Sequence, residues 1–236
     1  MQLLLVLLSA ITPVLVALWY INRKDSLQPE PTKWLIKAFL FGILSAILSF
    51  GFSVPTSMLL GMELDANTYS SIPEAFSDAF ALAAIPEELA KFIMLWLLLR
   101  KNPYFDEHFD GIVYAVCVGM GFAGIENVLY LVQGIEDGSW VRAGIGRALF
   151  SIPGHFLFAV LMGYYYSLYH FGIDRSAKAM GMILAAPILA HGVFDGILFS
   201  MQINESLSSL CMILFLVFFH KLKERGKERI ESLMNK

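Results

Sequence analysis

Ala84-Ile85-Pro86-Glu87-Glu88-Leu89-Ala90-Lys91-Phe92 sets two carboxylates and an ammonium inside a run, 78–99, that is otherwise soluble in lipid. A charged side chain near a bilayer centre costs roughly 2.5–3.5 kcal/mol even on lenient insertion scales, so ionisable groups there mark function. The rest of the chain has the same apolar character. Of its 236 residues 57% are hydrophobic and 16% charged, and the mean hydropathy is +0.65, which places it among polytopic membrane proteins.

Runs long enough to cross about 30 Å of hydrocarbon fall near 2–21, 34–60, 78–99, 111–133, 143–169, 177–200 and 206–220. The expectation is an all-α membrane helix bundle of about seven transmembrane helices. No run alternates as a barrel strand would, and a bilayer core admits only helices or closed barrels. Met1 to Tyr20 has no cationic start and no small-residue cleavage site, so it is read as a mature helix rather than a signal peptide.

The loops set the expected orientation. Arg23, Lys24, Lys33 and Lys37 follow the first run, Arg100 and Lys101 the third, Arg175 and Lys178 the fifth, and further cations from Lys221 to Lys236 the last. The alternate loops carry Arg142 as their single cation, beside Glu63, Asp65, Glu74, Glu136, Asp137 and Glu205. The positive-inside rule then puts the N-terminus outside and the C-terminus in the cytoplasm. Lys221 to Lys236 is expected to be a solvated helical tail, and Cys117 and Cys211 to be small buried hydrophobes without a disulfide.

Counted inward from the outer ends, Glu87, Glu126, His155 and His191 lie at similar depths on four different helices. Helical spacing pairs Lys91 with Glu87 (i,i+4) and Glu88 (i,i+3), pairs His191 with Asp195, and lines Arg147, Ser151 and His155 along one face. Unpaired, Glu87, Glu88, Lys91, Glu126, Arg147 and Asp195 would cost on the order of 15–20 kcal/mol, so they must neutralise one another. Arg147, near the outer end of its run, is expected to snorkel to the interface. Asp106-Glu107-His108-Phe109-Asp110 is expected to be a solvated loop, too far along its helix to join Glu126.

A layer of this kind suits hydrolysis inside a membrane, which needs a water, a base and donors for the developing oxyanion. No His-Glu-x-x-His and no Gly-x-Ser-x-Gly is present, and neither cysteine has a base in its layer, which leaves carboxylate with histidine. A proton-coupled transporter, or a noncatalytic scaffold for a partner helix, is the alternative. A transporter commonly shows repeat symmetry, and none is visible here.

Pro86-Glu87-Glu88-x-x-Lys91, Phe105 to Tyr114, Gly121-Phe122-Ala123 leading to Glu126-Asn127-Val128-Leu129-Tyr130, His155 followed by Met162-Gly163, and His191-Gly192-x-x-Asp195 together resemble the PrsW family of bacterial intramembrane proteases. The likeness runs from about Asp25 to Phe199. It implies site-1 cleavage, near the extracytoplasmic side of the bacterial inner membrane, of a single-span anti-sigma factor in a stress response, with the lipid bilayer and no nucleic acid as the other partner. On that reading residues 1–220 form one integral-membrane protease domain and 221–236 a charged cytoplasmic tail. The Glu-Glu and His motifs are also distantly similar to those of type II CAAX prenyl endopeptidases, where Glu and His activate water and a later Asn helps hold the oxyanion. Here that position is Asp195, which cannot donate while ionised.

Carried over by this resemblance, Glu87 is the expected base, assisted by His155, and His191 polarises the scissile carbonyl. Glu88 and Lys91 tune Glu87, Asp195 orients His191, and Glu126 supports from the fourth run. No cofactor is favoured. A zinc ion on Glu87, His155 and His191 is the alternative, since carboxylate and imidazole suit that metal.

Overall fold

In the computed structural model the residues described are 2–26, 28–64 and 68–234. Asp65 of the acidic loop and Lys236 of the tail lie outside them. Helices account for all regular structure among the described residues: α1 (Gln2–Lys24), α2 (Thr32–Leu60), α3 (Ile72–Asp78), α4 (Ile85–Leu99), α5 (Asp110–Gln133), α6 (Trp140–Gly146), α7 (Ile152–His170), α8 (Ala177–Ser200) and α9 (Glu205–Met234). Two π-helical turns, Ala79–Ala84 and Arg147–Ser151, fuse α3 to α4 and α6 to α7.

Among the described residues six helices are long and apolar enough to cross a membrane: α1, α2, α5, the fused α6–α7, α8 and α9. The fused α3–α4 rod is not among them. Its 82–99 half alone holds Glu87, Glu88 and Lys91, a charge load an ordinary span does not carry. Around the bundle, α1, α2 and α9 expose rows of Leu, Ile and Val, the surface a lipid-facing helix needs.

The central element is α5, buried over nearly its whole length. Lipid tails are as apolar as leucine, so helices inside a bilayer associate by close packing, and small residues permit it. A β-carbon at Gly121 would stand 2.0 Å from the Phe39 carbonyl of α2, and one at Gly163 of α7 would stand 2.3 Å from the Gly111 carbonyl of α5. Glycine at these crossings lets α2 and α7 lie backbone to backbone against α5.

Two expectations about the ends need correction. Phe105 and Phe109 are buried and Asp110 is fully so. Phe105 packs against His170 and Phe171, and Asp110 Oδ2 accepts from the backbone N–H of Asp106 (3.0 Å) and Glu107 (2.6 Å), so this segment is a folded cap and not a solvated loop. Similarly, α9 does not become a free tail after His220. Leu222, Gly226, Ile230 and Leu233 are buried, and the Arg229 guanidinium donates to Tyr164 Oη (3.2 Å), because the charges occupy one face of the helix and the apolar residues the other. Both cysteines are free and buried, as expected.

Candidate active site

The two π turns have the same sequence logic. Each ends at an Ile-Pro pair, Ile85-Pro86 or Ile152-Pro153, and each leads within a few residues to a polar group of the site, Glu87 or His155. Proline has no N–H, so the turn before it cannot close in the usual way and widens. Ile85 bonds back five residues to Phe80, and Ile152 five residues to Arg147. The carbonyl of Leu82, which Pro86 cannot reach with a donor, accepts from Ser53 Oγ of α2 at 2.9 Å. That bond pins the bend and presents the first turn of α4 to the interior.

Lys91 is the hub. Its ammonium is 3.2 Å from Glu87 Oε2, 2.8 Å from Glu88 Oε1 and 3.2 Å from His155 Nδ1, and it rests 4.0 Å over the Phe122 ring. Three N–H groups therefore meet three acceptors. His155 accepts at Nδ1, which leaves Nε2–H to donate to Glu126 Oε2 at 2.9 Å. Glu126 also takes Arg147 Nη2 at 2.8 Å, while Arg147 Nε donates to Asn127 Oδ1 (2.6 Å) and Asn127 Nδ2 donates to the Ala10 carbonyl of α1 (2.8 Å).

On the other side His191 sits between two carboxylates. Nδ1 lies 2.9 Å from Glu88 Oε1 and Nε2 lies 3.0 Å from Asp195 Oδ2, so both ring nitrogens act as donors. Glu87 Oε2 is 3.9 Å from Nε2, and Phe158 stacks on the imidazole at 4.6 Å. One chain of charge-assisted contacts thus joins α4, α5, α7 and α8.

The sequence-expected residues Glu87, Glu88, Lys91, Glu126, His155, His191 and Asp195 all belong to this chain. Arg147 does too, contrary to the snorkelling expectation, because the π turn that begins at Arg147 directs it inward onto Glu126. Tyr130, one turn beyond Glu126 and part of the same sequence motif, was given no role by the sequence; its ring carries the Arg147 guanidinium at 4.3 Å.

Two cavities open onto the network. One, of about 280 Å³, is lined by Arg147, Ser151, His155, His191, Asp195 and Gln202 among others. The second, of about 240 Å³, is walled by Ala46, Ser49 and Ser53 of α2 with Leu82 and Leu129. Glu87, Glu126 and Tyr130 line both.

Glu87, Glu88, His155 and His191 each offer an atom within 4.8 Å of the others, and they are right in kind for zinc. Zinc bonds of about 2.0–2.2 Å hold ligand atoms no more than about 4.2 Å apart, so the set would have to contract. Lys91 Nζ stands within 3.2 Å of three of the four, and both nitrogens of the fourth, His191, are held by carboxylates. The arrangement fits an ammonium where a divalent ion would go.

Comparison with known proteins agrees with this picture of a membrane hydrolase. Residues 30–222 match the family described as PrsW family intramembrane metalloprotease. The chain is 33% identical to Protease PrsW of Clostridioides difficile (strain 630) over 97% of this chain and 91% of that protein. It is 32% identical to Protease PrsW of Geobacillus kaustophilus (strain HTA426), over 82% and 80%, and 30% identical to Protease PrsW of Bacillus subtilis (strain 168), over 96% of each. No solved structure matches. A charged, cavity-lined layer within a bundle of apolar helices, carried on a chain alike along nearly its whole length to these proteases, identifies a multi-pass bacterial membrane protein that belongs to the PrsW family of intramembrane proteases.

Proposed function

We propose that the protein hydrolyses a peptide bond of a single-span membrane protein of the anti-sigma-factor type, as the site-1 step near the extracytoplasmic side, using a water activated by Glu87. The observation that carries this reading is the placement of Glu87. It is the network carboxylate that lines both cavities while also touching Lys91, and its second oxygen, Oε1, is free of the Lys91 and His191 contacts made by Oε2.

In this mechanism Oε1 takes a proton from water, and the water oxygen adds to the scissile carbonyl carbon. Glu87 then returns the proton to the departing amide nitrogen as the C–N bond breaks, so the atoms of one water are divided between the two products. Lys91 holds Glu87 and Glu88 in place and stays charged between them. His191, fixed by Glu88 and Asp195, presents Nε2–H toward the reacting carbonyl. His155 acts at one remove, through Lys91 and Glu126, rather than on the water. The spacing of the donors and the ammonium among them support a glutamate-type, metal-free enzyme. The orientation expected from the basic loops, with the N-terminus outside, completes the proposal.

The test is co-expression with a candidate single-span substrate and comparison of wild type with Glu87→Gln and His191→Ala. Loss of a general base is worth about 10²–10⁴-fold, so the extracytoplasmic cut should vanish in Glu87→Gln and fall sharply in His191→Ala. Undiminished processing in both variants overturns the assignment.

A further inference from the structure

The hydrolytic reading gives the oxyanion one donor, His191 Nε2–H, which is shared with Asp195 at 3.0 Å. A tetrahedral intermediate needs at least one donor aimed at its oxyanion, and removing such a donor costs about 10²–10³-fold in kcat. The residues around the water site are mostly occupied. All three Lys91 N–H groups have acceptors, His155 is engaged at both nitrogens, and His191 Nε2–H is shared with Asp195 at 3.0 Å. Asp195 and Glu126 accept and do not donate.

On the hydrolytic reading the scissile bond lies beside Glu87, which lines both cavities. Three side chains line both: Glu87, Glu126 and Tyr130. Tyr130 is the donor among them. It sits one turn beyond Glu126 on α5 and is half exposed, and among the described residues its hydroxyl makes no hydrogen bond. The Arg147 guanidinium over its ring at 4.3 Å fixes the phenol in place. Ser151 and Gln202 also carry donors, but each lines one cavity alone.

Resting on the hydrolytic reading above, we infer that Tyr130 is a further catalytic residue, whose hydroxyl donates to the oxyanion of the tetrahedral intermediate and supplies the hydrogen bond that Asp195 cannot give. The contact exists only once the carbonyl carbon becomes tetrahedral, so it acts on kcat and leaves binding of the uncleaved peptide unchanged.

The experiment is a kinetic comparison of purified wild type, Tyr130→Phe, Ser151→Ala and Gln202→Ala, with Glu87→Gln run alongside. Phenylalanine keeps the ring and its stacking with Arg147. Tyr130→Phe should lower kcat about 10²–10³-fold with KM unaltered. It should also weaken binding of a phosphonamidate peptide, a tetrahedral mimic, by the same factor while leaving the affinity of the matching uncleaved peptide intact. A kcat within about twofold of wild type, or an equal loss of affinity for the mimic and the uncleaved peptide, overturns the inference. A large kcat effect from Ser151→Ala or Gln202→Ala in place of Tyr130→Phe does so too. If Glu87→Gln is inactive while Tyr130→Phe is not, this inference falls and the hydrolytic reading stands; an active Glu87→Gln removes both.

Discussion

Two groups of buried carboxylates on this chain solve the same electrostatic problem in opposite ways. In the membrane-embedded layer Glu87, Glu88, Glu126 and Asp195 are matched by Lys91, Arg147 and His191 at 2.8–3.2 Å. At the basic end of the bundle Asp25, Glu30 and Asp110 are buried together, and no lysine or arginine among the described residues pairs with them. Asp25 Oδ2 accepts from the Glu30 backbone N–H at 3.1 Å, the Tyr114 hydroxyl donates to Glu30, and Asp110 Oδ1 is left without a donor. Burial, with the charge of Asp110 adding to it, pushes Asp25 up to about 7 and Glu30 up to about 8. A proton on Glu30 then provides the donor that Asp110 lacks. The first cluster is held together by its ion pairs. The second takes up protons and serves as a joint between the α1–α2 loop, the 100–109 cap and α5.

Removing one cation from the first cluster should therefore be costly. Lys91→Met strands Glu87 and Glu88 in a buried site, with an expected loss of about 3–5 kcal/mol and of all activity, read by thermal denaturation in detergent and by cleavage. A variant that folds with wild-type stability would break the contrast. Next comes Arg147→Ala, which leaves the Glu126 and Asn127 acceptors short of a donor in a partly buried position. The expected loss is about 1–3 kcal/mol, and Arg147→Lys should recover part of it without restoring the two-point grip.

At the other cluster Glu30→Gln replaces a group that is already protonated near neutrality. It should cost no more than about 0.5–1.5 kcal/mol, one hydrogen bond's worth, and leave cleavage intact. The smallest expected effect is on pH dependence. The folded protein holds protons on Asp25 and Glu30 that the unfolded chain gives up near 3.8 and 4.5, so their stabilising contribution is full below about 4 and is lost as pH rises through 7 to 8. Amide exchange over residues 106–114 should therefore speed up between pH 6 and pH 9 in the wild type beyond the intrinsic base-catalysed trend, and less so in Glu30→Gln. An identical profile in both would remove the protonated joint from the account.

How much of this was legible beforehand follows from what sequence encodes locally. The bounds of the long helices came from apolar runs, and the site came from the shared depth of Glu87, Glu126, His155 and His191, because a misplaced charge in lipid is conspicuous. The π turns were not legible. Ala79–Ala84 contains no helix breaker, and the widening depends on a proline that any α-helix could carry at its first turn. Arg147 was misjudged for that reason, since the turn it begins decides where its guanidinium goes. The cap at Asp106–Asp110 and the packed half of α9 were hidden because charge density suggests water, whereas Phe105, Phe109, Ile230 and Leu233 bring apolar faces that bury the backbone between those charges.

On the function proposed above, an ammonium on Lys91, and no divalent ion, holds the carboxylates of the active layer. The most direct test is turnover of the purified protein, stripped by a strong chelator and shown by elemental analysis to be metal-free, on a single-span substrate in detergent or liposomes. The account predicts full cleavage without metal and none by Glu87→Gln under the same conditions. Activity that disappears on stripping and returns with stoichiometric zinc would contradict it.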